Sequence, residues 1–264
     1  MLPKLAGGKL YSDYAGRFVF MIFILLSIPL GVHHQFAEPG ISSGYKDFQS
    51  FLTHLIAIPS LITAFNLASS LEYAGKKNGA TGILGWMKKL PYANTDKYMF
   101  AYLISGLLIF ILGGIGGIIN ASHGMSNVVH NTALIPGHFH LTVGGPVFLA
   151  IIGMNMFLLE GLTGKRVVSK RLHLTVPYLW MLGLLIMSTG MKLGGSMGEP
   201  RRTNLGLSYL NRSHELFTPE WVLTTVILIV IAYYGPLKEA VTNSETNSLP
   251  YQPNNPSPEK IIIK

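Results

Sequence analysis

The chain has 264 residues, 49% of them hydrophobic and only 12% charged, with a net charge of +8. Soluble domains carry about a quarter charged residues, so this composition points to a membrane protein. The positive surplus then belongs to cytoplasmic loops rather than to a nucleic-acid interface. With no cysteine, thiolate metal sites, iron–sulfur clusters and disulfides are excluded, and redox chemistry must use His, Met, Tyr or carboxylate ligands.

Charge-free stretches mark the elements. Nothing ionised lies between Arg17 and Glu38, between Asp47 and Glu72, from Tyr98 to Leu159, from Leu172 to Met191, or from Trp221 to Leu237. About 20 apolar residues cross a bilayer, so the long third stretch reads as two helices with a connection. The expectation is an all-α membrane protein with spans at about 16–36, 50–71, 98–119, 133–159, 172–194 and 219–237, the last being the shortest. Residues 1–241 read as one transmembrane domain. The polar, proline-rich tail 242–264 reads as a disordered cytoplasmic segment. The first span is too long for a signal-peptide core and lacks a cleavage site.

The first span ends in "GVHHQFAEPGI". Adjacent helical residues sit about 100° apart, so His33 and His34 can lean toward one metal if the helix is loosened. Pro29 supplies the loosening, because it removes a backbone donor and clashes with the preceding turn. An interfacial histidine pair at a helix end is the competing reading. The connection "NASHGMSNVVHNT" (120–132) is polar yet uncharged, as expected of irregular backbone packed over a site near membrane depth.

The fourth span opens with "IPGHFHLTVGG". Residues two apart on a regular helix face nearly opposite ways, so His138 and His140 cannot share one ion but could each reach a different cofactor. Neutral imidazole is a usual axial ligand of haem iron; the alternative is a pair of interhelical hydrogen-bonding histidines.

Orientation links the two clusters. The N-terminus, the 72–97 and 160–171 loops and the tail hold most of the 20 Lys and Arg. The opposite side has Lys46, Lys192, Arg201, Arg202 and Arg212. Positive-inside then places both termini in the cytoplasm. His33 and His34 end an outward helix, and His138 and His140 begin an inward one, so all four arrive at one depth. Arg201 and Arg202 lie on that side too, as two solvated loop arginines or as a bidentate clamp for carboxylates.

These residues carry a resemblance. "GVHHQFAEPGI" and "NVVHNTALIPGHFHLTVGG" together resemble subunit I of the haem–copper oxygen reductases, specifically the B family of two-haem cytochrome c oxidases. The likeness continues through "LPKLAGGKLYSD", "IPSLITAFNLASSLEYAG", "GWMKKLPYAN", "GGIGGIINAS", "LTGKR" and "PRR", from residue 2 to about 237. It implies that His33 and His34 bind the active-site copper. His138 is then the axial ligand of a high-spin, a-type haem, and His140 one ligand of a low-spin haem b. His130, Asn131, Arg201 and Arg202 match residues around the high-spin haem propionates. Ser12 and Thr63 match a proton-uptake path in which Asn66 replaces a threonine. Ser126 replaces an aspartate near the propionates.

The six spans match helices seven to twelve of a twelve-helix core, the C-terminal half. The third copper histidine, its linked tyrosine and the second low-spin haem ligand would come from the N-terminal half, either a separate chain or missing sequence. The resemblance implies reduction of dioxygen to water, coupled to proton uptake and pumping, in a prokaryotic cell membrane. It implies as partners a copper-containing subunit II and cytochrome c or a cupredoxin as donor. Nitric oxide reduction on the same scaffold is the nearest alternative, and a histidine-dependent proton-coupled transporter a distant one. His54, His123, His173 and His214 carry no motif and read as structural or interfacial. Met21, Met154, Met156 and Met187 read as packing.

Overall fold

The computed structural model describes residues 1–164 and 169–201. The sixth expected span, Arg202, Arg212, His214 and the tail lie outside them. The described elements are helical: α1 Leu2–Leu5, α2 Asp13–Ser27, α3 Ser43–Leu55, α4 Ala57–Lys77, α5 Tyr98–Ala121, α6 His123–Val129, α7 Leu134–Phe139, α8 Pro146–Thr163 and α9 Lys170–Ser196. Two short 3₁₀ turns fall in the α4–α5 loop, and a π-helical turn, His140–Gly144, joins α7 to α8.

Among the described residues four segments are long and apolar enough to cross a membrane: Ser43–Lys77, Thr95–Ala121, Leu134–Thr163 and Arg171–Ser196. The expected first span is shorter than sequence suggested. Ser12 accepts a hydrogen bond from the Ala15 N–H and starts α2 at Asp13, but α2 stops at Ser27, 15 residues later. Pro29 has no N–H to continue the ladder. His33 and His34 therefore lie in a loop beyond the helix, not on its last turn as expected.

Other boundaries moved outward. The second span begins at Ser43 behind the Ser42 cap and runs to Lys77, because Lys46 and Asp47 at one end and Glu72 at the other are tolerated in helical turns near the ends. The 120–132 connection was expected to be irregular. It contains the two-turn helix α6, capped by the Ser122 hydroxyl accepting from the Met125 N–H.

The core is a set of glycine seams. A Cβ on Gly106 would stand 2.9 Å from Pro146, one on Gly145 2.6 Å from Ile109, and one on Gly153 2.8 Å from the Met99 sulfur. Small residues let helices approach closely where apolar burial alone gives no drive inside lipid. Here they press α5 against α8. On the other side of α7, a Cβ on Gly137 would stand 3.0 Å from Met191 of α9 and one on Gly195 would collide with the backbone at Leu134. So α7 is clamped between α5 and α9. The π turn leaves the Gly144 carbonyl free to accept from the Trp180 indole at 2.9 Å, which satisfies it.

The far ends of α5, α8 and α9 are tied by polar groups. The Glu160 carboxylate accepts from the Tyr98 hydroxyl at 3.0 Å and meets His173 Nε2 at 3.1 Å. His173, buried, stacks on Tyr98 with ring centroids 4.2 Å apart. The reading of His173 as structural agrees with this placement.

Candidate functional site

His138 is positioned by packing and by one long-range hydrogen bond. Its Nδ1–H donates to the Gly113 carbonyl of α5 at 2.9 Å, across 25 residues of sequence. The imidazole lies over Gly116 and Gly117; a Cβ on either would stand 3.2 or 3.3 Å from the ring. Because a carbonyl can only accept, Nδ1 carries the proton and Nε2 keeps its lone pair. A ligating histidine is held in this way, with one nitrogen tied to a carbonyl and the other presented to a metal.

His140 opens the π turn. Its Nδ1–H donates to the Pro136 carbonyl at 2.6 Å, and its side chain lies beside Gly144. His138 thus turns to α5, while His140 lies along its own helix. The local bond alone is not specific: His54 makes the same contact to Ser50 at 2.8 Å with no motif around it. The bond from His138 to another helix is the distinguishing one.

His33 and His34 sit together, ring centroids 4.0 Å apart and tilted by 49°. His33 Nδ1–H donates to the Leu30 carbonyl at 3.2 Å, which again leaves Nε2 available. Burial first, and then the neighbouring His33 and His138, push the pKa of the His34 imidazole below its ordinary value. Two side chains of α3 pin this loop at its ends. Gln49, buried, donates to the Pro29 carbonyl at 2.9 Å, and the Lys46 ammonium donates to the Glu38 carbonyl at 2.7 Å. Neither residue was singled out from sequence; their three-residue spacing on one helix face is the signal that could have found them. Among the described residues no group of three or more His, Asp or Glu is arranged to hold a metal. The donor set that His33 and His34 offer to a metal here is two imidazoles.

Of the expected propionate residues, Asn131 and Arg201 are brought together by a short antiparallel bridge between Thr132 and Pro200. Ala133 N–H donates to the Glu199 carbonyl at 2.7 Å, and Arg201 N–H to the Asn131 carbonyl at 2.8 Å. Asn131 has φ of 65°, a left-handed conformation that asparagine tolerates better than most residues. His130 caps α6 beside it. The Arg201 Nε is buried with no acceptor among the described residues. A buried guanidinium donor without a partner is what an anionic group would satisfy, so the donor set fits a carboxylate-bearing cofactor.

The proton-path residues are only partly assembled. The Asn66 amide grips the backbone of Ser12 at both ends, accepting from its N–H at 2.9 Å and donating to its carbonyl at 2.8 Å. Both ends of this amide are thus spent on a backbone clamp. Thr63 donates to the Pro59 carbonyl at 2.8 Å, and its side chain makes no described bond to Ser12 or Asn66.

Sequence reasoning also passed over Lys192, counted only as an outer charge, and the Asp47–His123 contact of 2.7 Å. The first follows a neutral run directly. The second joins residues 76 apart, which no local pattern reveals.

The model of the family described as Cytochrome C and Quinol oxidase polypeptide I matches residues 1–230. A cytochrome c oxidase subunit 1 of Thermus thermophilus is 50% identical over 204 residues, 76% of this chain and 36% of that protein. A ubiquinol oxidase subunit 1 of Acetobacter aceti is 25% identical over 213 residues, 77% of this chain and 28% of its own length. A solved chain of a heme-copper terminal oxidase dimer superposes with a TM-score of 0.83 at 40% identity, covering 94% of this chain and 45% of that one. The chain therefore spans about a third of the T. thermophilus subunit and under half of the solved chain. By the matched family model and the identity with the T. thermophilus subunit, the chain belongs to the Cytochrome C and Quinol oxidase polypeptide I family of haem–copper oxidases.

Proposed function

We propose that this chain forms part of the catalytic subunit of a terminal respiratory oxidase that reduces dioxygen to water, with proton uptake and pumping. Electrons come from a separate copper-containing subunit that a cytochrome c or cupredoxin supplies. His138 holds the high-spin haem and His140 one side of the low-spin haem. His33 and His34 hold the active-site copper, and Arg201 with Asn131 and His130 receives the propionates. When bound, the haems and copper supply the electron transfer and oxygen chemistry. The protein's part is to keep His33, His138 and His140 in the Nδ1–H tautomer, to seat the His138 and His140 rings against glycines and to present a guanidinium to carboxylates. Ser12, Thr63 and Asn66 lie on the proton-uptake route. There Asn66 shapes the entrance by clamping Ser12, and the Thr63 hydroxyl, whose proton points at Pro59, keeps its lone pairs to accept from water.

The observation that carries this reading is the His138–Gly113 bond, because it spans two helices and leaves a ligating nitrogen free. The test separates the two haems. In the intact complex, His138→Ala is expected to abolish the carbon monoxide-responsive haem and turnover while the low-spin band survives. His140→Ala is expected to remove the low-spin band instead. Loss of neither band in either variant would contradict the assignment. Retention of nitric oxide reduction with only b-type carbon monoxide binding in the parent complex would favour the sister reaction.

A further inference from the structure

α9 carries a partly buried lysine that the proposed function does not use. Lys192 directly follows the neutral run Leu172–Met191. Its Cγ lies 3.1 Å from where a Cβ on Gly137 would stand, so its stem runs along the backbone of α7 one residue before His138. Its Nζ lies 3.5 Å from where a Cβ on Gly116 would stand, and His138 Nδ1 lies 3.2 Å from the same point. Glycine at both 116 and 137 leaves the space that ammonium and imidazole share.

A lysine about one turn from its helix end can snorkel outward to water. This one lies against α7 and turns inward to Gly116, where keeping a charge is costly. His138 Nδ1–H is already committed to Gly113, so it offers the ammonium no acceptor. Among the described residues the ion pairs are Arg17–Asp13, Lys76–Glu72, His123–Asp47 and His173–Glu160; none involves Lys192, and no described hydrogen bond holds its ammonium. What remains is an inward cation beside a presented imidazole, with its counter-charge still to be supplied.

We propose that Lys192 is a fixed positive charge of the centre built on His138, raising the reduction potential of the haem iron held there and favouring anionic ligands at it. This rests on the reading of His138 as the high-spin ligand. A positive charge a few ångströms from a low-dielectric site stabilises an added electron and an arriving anion alike. The effect falls with distance, so the haem on His140 feels it less.

The experiment uses the intact, haem-loaded complex with Lys192→Met, Lys192→Gln and Lys192→Arg. Potentiometric titration follows both haems, and azide binding to the oxidised enzyme reads the anion preference. The neutral variants are expected to lower the midpoint of the carbon monoxide-responsive haem more than that of its neighbour. They should also weaken azide on the order of tenfold. Lys192→Arg should restore both readouts, which a packing role would not predict. Lys192→Gln gives the same reading if methionine disturbs assembly. Unchanged midpoints and azide affinity in the neutral variants, or an arginine variant that behaves like them, overturn this inference alone. A parent complex without haem overturns the site reading with it.

Discussion

His33 and His34 carry two imidazoles on a loop with little helical support, so their positions depend on the side chains of α3. Gln49→Ala removes one of the two donors to the Pro29 carbonyl, which also accepts from the Gly31 N–H at 3.0 Å, a loss of about 0.5–1.5 kcal/mol. The expected outcome is lower copper content in the purified complex with haem content retained, measured by metal analysis against haem absorption. His33→Ala should remove copper outright while the helices still insert; full copper with normal oxygen consumption would contradict its role. The imidazoles themselves were legible in sequence, because paired histidines in an uncharged stretch have few uses. Their supports were not. A glutamine and a lysine on an amphipathic turn look like ordinary surface until the loop they hold is folded against them.

The order of the described helices followed from the charge pattern, whereas helix ends did not. Hydropathy sees where ionised groups stop, but a helix continues through them when a cap such as Ser42 or Ser169 starts it earlier. It also stops sooner where a proline breaks the ladder, as after Ser27. The π turn at His140–Gly144 has no sequence signature beyond its glycines and became visible only through the Gly145 N–H donating to the His140 carbonyl at 3.0 Å. Two substitutions test these helix contacts. Gly195→Val forces α9 away from Leu134 and should destabilise the complex by roughly 1–3 kcal/mol, with loss of the haem on His138 before global unfolding. Glu160→Leu strips His173 and Tyr98 of their acceptor and should cost about 1–3 kcal/mol of stability, read as a lower thermal unfolding midpoint with neither haem band moved. A changed haem spectrum in Glu160→Leu would mean that the tie reaches the site.

At the scale of the molecule, α2 has no buried residue, and Phe18, Phe20, Met21, Phe23 and Leu25 all stand exposed. Lipid or other helices of a larger assembly are the surfaces that such a face fits. The family was legible in the motifs, because "GVHHQFAEPGI" and "GHFH" bring chemistry and spacing together. The helix topology that joins them had to be folded to be seen. The central claim is that His138 presents an open-faced haem beside a copper held in part by His33 and His34. A carbon monoxide difference spectrum of the reduced native complex, isolated through this chain, tests it most directly. The expected result is a shifted high-spin band beside an unshifted low-spin band, with a partner polypeptide present. An intact complex with no haem absorption would contradict it, and would make the histidines of "GHFH" packing or proton relays instead.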